Sequence, residues 1–346
     1  MEYKKYELNL ITLAPVHIGS GEVRSSKEFI YEKGAYYFPE MGKVYLALNR
    51  KNPLLAKAFE DYLYYTPQNK RKGKRLVEFF REKQIRDRDF GGFKIQETGE
   101  EVYGNNKGNG RLNEVHLFMR DAQQRPYIPG SSLKGALRSI FESEYFKSSR
   151  IPWGAKKGEP FNDIFNNIRV EDSVPIPEKS LAIVRKIDYS LGKNIANGLP
   201  IYREALRPRM SIKFHITAVD SGIKLMDELI KLSQKRYERY TDFYLKDCPP
   251  KYVQNNFPGY GSLYLGAGSG LWTKFNLSDQ KSVREIIEEK QNIRNPKMKM
   301  KGKGAFKLTR YPAKSVKLGK KSVPLIKNQE NYYEMGKCNF SIKVIE

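Results

Sequence analysis

The stretch Tyr127-Ile-Pro-Gly-Ser-Ser-Leu-Lys-Gly-Ala-Leu-Arg138 constrains the fold more than any other part of this chain. Pro129-Gly130 ends an extended run, and Ser131 or Ser132 supplies a hydroxyl suited to capping a helix. Leu133, Ala136, Leu137 and Ile140 recur at helical spacing and form a face to be buried. Lys134 and Arg138, four apart, share another face. Free N–H groups, the positive end of the helix dipole, the hydroxyls of Ser131 and Ser132 and two cations thus meet beside Gly135, an arrangement that suits phosphate. An ordinary capped surface helix is the alternative.

Strands and helices surround this junction. Tyr6, Leu8 and Leu10 alternate in a strand over residues 4–13, which runs into Leu13-Ala-Pro-Val-His-Ile-Gly-Ser-Gly21. Residues 26–48 read as further strands, from Phe29/Tyr31, Tyr36/Phe38 and Val44/Leu46/Leu48. Residues 50–65 carry helical spacing (Leu54, Leu55, Ala58, Phe59, Tyr62, Leu63), and a second helix with Leu76, Phe79 and Phe80 follows the basic linker 70–75. With a Gly/Asn-rich loop over 91–111, residues 50–112 read as a mainly helical insertion into a β-rich core formed by 1–49 and 113–290. In that core, strands at 113–119, 168–172, 180–190 and 200–219 alternate with helices from Ser131 to about Phe146, over 222–237 and over 279–290. Residues 291–346 form a basic C-terminal segment ending in a strand with Phe340, Ile342 and Val344. Such an order suits an α+β fold with an antiparallel sheet of the split βαβ, ferredoxin-like kind.

Charge narrows the partners. The 346 residues hold 63 Lys+Arg against 39 Asp+Glu, a net charge of +24. That excess predicts a polyanionic partner, and 23 tyrosines supply faces on which bases can stack. No run approaches the ~18 apolar residues of a membrane span, and the N-terminus enters a strand pattern without a signal peptide. Two distant cysteines, Cys248 and Cys338, suit free thiols in a reducing cytoplasm. No carboxylate cluster has metal-site spacing, so neither metal nor cofactor is expected.

Three further sites carry candidate chemistry. In Val16-His-Ile-Gly-Ser-Gly21, Gly19 and Gly21 allow close approach of another chain. Ser20 lies between them, and His17 suits RNA contact or loop architecture better than general-base work. His116 and His215 lie in strands and read as structural. Residues 183–209 form two extended arms around a Gly/Asn-rich tip. Arg185, Lys186, Lys193, Arg203 and Arg207 line the arms, with Ile187, Tyr189 and Ile195 as apolar positions among them. Gly266, Gly268 and Gly270, with Lys274 nearby, lack the Gly-x-Gly-x-x-Gly and Lys-Ser/Thr patterns of nucleotide loops but can form an anion nest. From Gln291 to Gln329 there are 12 Lys/Arg and no Asp or Glu, with Phe306 and Tyr311 interleaved.

Ile128-Pro-Gly-Ser-Ser-Leu-Lys-Gly135 followed by Arg138 closely resembles the signature of the RAMP (repeat-associated mysterious protein) superfamily, the RNA-binding subunits of CRISPR effector complexes. The His17-Ile-Gly turn, the hairpin over 183–209 (like the thumb of RAMP backbone subunits) and the glycine loop extend the resemblance over most of the chain outside 50–112. In that family the thumb displaces a base of the guide, which implies Ile187, Tyr189 and Ile195 as candidate apolar wedges. It is strongest to the subunit that caps the guide-RNA 3′ end in type III-A (Csm) complexes. It implies an RRM-like core and a role in guide maturation and antiviral defence. The implied partners are guide (cr)RNA and the RAMP backbone subunits of the same complex, with target RNA and host trimming nucleases as further ones and no membrane. In the repeating backbone subunits a catalytic Asp precedes the signature. Counting back here reaches Val115 beside Glu114, and Asp121 belongs to a turn, so the resemblance implies no target cleavage. A metal-independent guide-processing endoribonuclease using His17, and a multi-copy backbone subunit, are the alternatives.

Overall fold

The computed structural model describes residues 2–32, 34–65, 73–87, 89–96, 112–145, 164–190, 193–253, 261–274, 285, 304–311, 317–318, 321–322 and 332–345. Strand β1 (Tyr3–Thr12) is followed by β2 (Gly19–Ser25), β3 (Ile30–Glu32), β4 (Ala35–Phe38), helices α1 (Met41–Lys51), α2 (Pro53–Tyr64) and α3 (Leu76–Glu82), then β5 (Phe93–Gln96) and β6 (Glu114–Phe118). Helix α4 (Gly130–Tyr145) leads to β7 (Ile168–Val170), β8 (Leu181–Ser190), β9 (Ile195–Leu206), β10 (Ser211–Val219) and α5 (Ser221–Phe243). Next come α6 (Pro250–Val253), β11 (Ser262–Tyr264), β12 (Phe306–Arg310), β13 (Lys317–Leu318), β14 (Lys321–Ser322), β15 (Tyr332–Glu334) and β16 (Lys337–Val344).

The first sheet runs β11-β16-β1-β10-β7, with every neighbouring pair antiparallel. The chain order β1-α4-β7-β10-α5-β16 over that sheet is the split βαβ topology. Alternation produces it. Tyr6, Leu8 and Leu10 stand opposite Ile216, Phe214 and Ile212 and turn inward to Leu133, Leu137 and Ile140 of α4 and Ile223, Met226 and Leu229 of α5. Burying each such side chain contributes about 2 kcal/mol. The intervening positions face out: Glu7 pairs with Lys213 at 3.3 Å and Lys343 at 3.1 Å.

The second sheet runs β15-β12-β8-β9-β6-β2 and is antiparallel except at β6 and β9, where Val115 pairs with Tyr202 in parallel. The β8–β9 register slips, with Arg185 opposite Tyr202 but Ile187 opposite Gly198. The carbonyls extruded there are satisfied by Arg185, whose Nε donates to Leu199 at 2.8 Å and Nη2 to Gly198 at 2.6 Å.

Between β2 and β6, β3, β4 and β5 form a three-stranded sheet beside α1, α2 and α3, around Ile30, Val44, Phe59, Phe79 and Phe80. Asn52 caps α2 by accepting from Leu54 N–H at 2.9 Å, with Pro53 at the first helical position. At the other end of α2, Lys27 Nζ donates to the carbonyls of Tyr62 and Leu63, both at 2.9 Å, and of Tyr65. That placement neutralises the negative end of the helix dipole.

Three sequence expectations fail here. Val44/Leu46/Leu48 is not a strand but part of α1, because Val44 and Leu48 also satisfy an i, i+4 spacing; they are buried while Leu46 is 52% exposed. Leu54 faces solvent, and the buried face of α2 is Ala56, Phe59 and Tyr62. The expected loop over 91–111 contains β5, and its residues 97–111 lie outside the described ones, as does nearly all of the helix expected over 279–290.

Candidate nucleic-acid interface

The signature helix is docked by its first glycine. A methyl on Gly130 would fall inside contact distance of the Val170 carbonyl and 2.7 Å from that of Glu171. Gly130 N–H donates to Asp172 Oδ1 at 2.7 Å, so the chain's own carboxylate holds one donor of the helix N-terminus. Lys134 Nζ donates to the Ile168 carbonyl at 2.7 Å. Arg138 is buried, with Cζ 5.6 Å from the centre of the Phe165 ring. These two cations fasten α4 to β7 and the turn before it, a use that their spacing did not reveal. Ser131 and Gly135 are exposed and Ser132 half-buried on α4.

His17 is 3% exposed. Its Nδ1 lies 2.6 Å from the Glu204 carbonyl, so Nδ1 carries the proton, and its ring meets Phe118 edge-on. Its own carbonyl accepts from Ala267 N–H at 2.8 Å. Burial holds the imidazole down to about pKa 4, with the Glu204 carbonyl opposing. His17 thus joins β9 to the glycine loop as a neutral ring. Because the unfolded histidine titrates near 6.5, the unfolded state binds the extra proton as pH falls through 6.5 towards 4, and stability is lost across that window. The loss approaches about 3 kcal/mol. Urea unfolding at pH 7 and pH 4 should show a smaller difference for His17→Asn than for the wild type. Gly19, Ser20 and Gly21 lie on the edge strand β2, where Ser20 Oγ reaches the Leu117 carbonyl at 3.3 Å and Gly21 adopts φ +88° in open space.

The hairpin also departs from expectation. Ile187 and Tyr189 are not wedges; they are buried among Tyr244, Tyr252, Trp272 and Phe306, because β12 pairs along β8 and turns their face into a core. Ile195, 51% exposed, remains outside, next to the exposed Lys193. Arg207 Nε donates to the Leu181 carbonyl at 3.2 Å, at the base of the arms.

What the fold does bring together is the glycine loop and the middle of the hairpin. Gly266, Gly268 and Gly270 all have positive φ, of +81°, +90° and +90°, conformations that only glycine adopts without strain. Arg203 Nη1 would stand 2.6 Å from a methyl on Gly268, and Lys307 Cγ 3.2 Å from one on Gly270. Lys274 Nζ donates to the Gly266 carbonyl at 3.1 Å. Asp188 is shared by Lys307 at 2.8 Å and Lys186 at 3.3 Å. Burial, then Lys307, depresses Lys186, and burial depresses Arg203. Three cations around one carboxylate leave positive charge that phosphate oxygens can neutralise through charge-assisted hydrogen bonds.

Sequence reasoning did not assign Lys307 to the site, although it stands between the buried Phe306 and Leu308 at the alternate position of β12, within the basic stretch. It also missed Glu204, 0% exposed. Glu204 Oε2 accepts from Phe118 N–H at 2.8 Å, and Oε1 pairs with Arg120, which also pairs with Glu178 and lies 3.6 Å over the Phe93 ring. Burial pushes Glu204 up to about 7 against the pull of Arg120. Val115 is buried, Glu114 is exposed at the start of β6, and Asp121 closes a turn by accepting from Gln123 and Arg125 N–H at 3.0 and 2.8 Å.

The sequence profile of the RAMP superfamily matches residues 9–271. The chain belongs to the RAMP superfamily. This RAMP chain is 43% identical over 365 aligned positions to the CRISPR system Cms protein Csm5 of Streptococcus thermophilus, covering 100% of this chain and 99% of that one. It is 28% identical over 406 positions to Csm5 of Mycobacterium tuberculosis H37Rv, with 99% of each covered. Among solved structures, a chain of a Csm–crRNA–target RNA ternary complex of a type III-A system matches with a TM-score of 0.61 at 16% identity, covering 97% of this chain and 100% of that one. Csm5 of T. onnurineus matches with a TM-score of 0.54 at 17% identity, covering 82% and 94%. The RAMP fold therefore extends beyond the profile match, through β12 and β16. No described helix is long and apolar enough to cross a membrane.

Proposed function

We propose that the chain is a crRNA-binding subunit that caps the 3′ end of the guide in a type III-A CRISPR complex, and that the RNA backbone crosses the glycine loop between Arg203, Lys186 and Lys307. The end-to-end likeness to Csm5 carries the reading. The cation cluster around the three positive-φ glycines supports that path for the RNA backbone. Its partners are then the guide RNA, the backbone subunits beside it and target RNA. The subunit binds without cutting: His17, the candidate base for metal-free attack by a 2′-hydroxyl on the neighbouring phosphate, is buried and committed through Nδ1 to Glu204.

Filter binding with labelled guide RNA over a salt series, with products resolved on gels in EDTA and in Mg²⁺, tests this. Lys186→Ala with Lys307→Ala should weaken binding and make the salt dependence shallower by about 1.4 in log–log slope, since each lost phosphate contact on a single strand removes about 0.7. Discrete cutting abolished by His17→Ala would replace the capping role with a processing endoribonuclease.

A further inference from the structure

The glycine loop stands on a buried polar floor. Arg236 of α5 is buried, and its Nη2 donates to the Thr273 carbonyl at 2.9 Å. Thr273 is buried too; its Oγ1 lies 2.9 Å from the Gly270 carbonyl and 3.2 Å from Ser269 Oγ. Ser269 Oγ in turn reaches the Gly266 carbonyl at 3.3 Å. A chain of hydrogen bonds thus runs from a helix into both ends of the loop. On the far side, Leu265 N–H donates to the Gly336 carbonyl at 2.8 Å, and a methyl on Gly336 would press to 2.9 Å from Ser269 Cβ. Behind that turn, Glu334 accepts from the hydroxyls of Tyr264, at 2.8 Å, and Tyr240, while Lys337 Nζ donates to Tyr237 OH at 2.6 Å.

We propose that Thr273, held by Arg236, is a positioning residue for RNA binding: it fixes the loop in the one conformation that sets Arg203 and Lys307 along the same phosphate path. This rests on the glycine loop being the RNA contact. The physical need is plain. Three glycines with positive φ make a chain segment with many alternative conformations, and a loop that must order on binding loses affinity to that ordering. Thr273 is 4% exposed, so it acts through the carbonyl and hydroxyl that it holds.

The test uses the full chain and a single-stranded guide RNA, with affinity measured over a salt series for Thr273→Val, Thr273→Ser and Ser269→Ala. Thr273→Val keeps the shape and removes the hydroxyl. It should weaken binding about tenfold, the upper worth of one hydrogen bond, with the wild-type salt slope, because no cation is lost. Thr273→Ser should bind like the wild type, and Ser269→Ala should weaken binding in the same manner as Thr273→Val. Wild-type affinity in both Thr273→Val and Ser269→Ala overturns the proposal, and so does a slope as shallow as that of the Lys186→Ala, Lys307→Ala double variant, which marks lost cation contacts. If the wild type and that double variant bind RNA alike, the interface reading itself falls, and the positioning role with it.

Discussion

Arg120→Met will lower the free energy of unfolding by about 3–5 kcal/mol, the range found when one partner of a buried ion pair is removed. Glu204 sits at 0% exposure between β6 and β8, with Arg120 its charged partner and Phe118 N–H on its other oxygen. Without the guanidinium the carboxylate must be buried unpaired or take up a proton. Its folded pKa, already raised to about 7 by burial, then climbs further. A carboxyl group with a raised folded pKa is penalised above its unfolded value near 4.5 and released as pH falls. The deficit of Arg120→Met should therefore be largest above pH 7 and shrink towards pH 5, as read by urea midpoints. Adding Glu204→Gln should recover most of it, while Arg120→Lys should not. A lysine offers a point charge where the guanidinium spans Glu178 and Glu204 and stacks on Phe93. An unfolding free energy unchanged by Arg120→Met would mean that Glu204 is neutral in the wild type.

Gly130→Ala should cost about 3 kcal/mol or more, the upper end of overpacking penalties, whereas Gly135→Ala, five residues along the same helix, should stabilise by roughly 0.5–1 kcal/mol. The contrast comes from what each methyl meets. At Gly130 it meets two backbone carbonyls, of Val170 and Glu171, which cannot rotate aside; at Gly135 it meets nothing within 4 Å. Thermal unfolding of the two variants side by side decides the matter. A tolerated Gly130→Ala would show that α4 can lift from β7 without loss, and would return the signature to a purely ligand-facing role.

The alternations in β1, β10 and β16 and the 3.6-residue spacing in α4 and α5 were legible in the sequence because one face of each element is buried in a single layer. Val44, Leu46 and Leu48 misled because a spacing of two contains a spacing of four; only the packing of Val44 and Leu48 against the insertion core decides between them. The glycine loop and Arg203 were visible as candidates. Their juxtaposition with Lys186 and Lys307 was not, since it depends on β12 returning beside β8 after more than a hundred residues. Lys134 and Arg138 matched an anion-binding pattern, but the same cationic reach serves a carbonyl and an aromatic ring when a short strand lies across the helix. Ile187 and Tyr189 could not be read as core, because the strand that covers the outer edge of their hairpin, β12, lies far along the chain.

Strand β1 leaves the ribosome before either of the strands that flank it, and must wait for both. β1 is flanked by β10 and β16, so that Tyr6 pairs with Ile216 on one side and Val344 on the other. At about 5–20 residues per second, synthesis keeps its second edge open for tens of seconds. During that interval Leu8 and Leu10 belong to a sheet with an uncovered border, a template for pairing with another nascent chain. Yield in the cell then depends on how quickly β16 arrives and on chaperones that shield the border until it does.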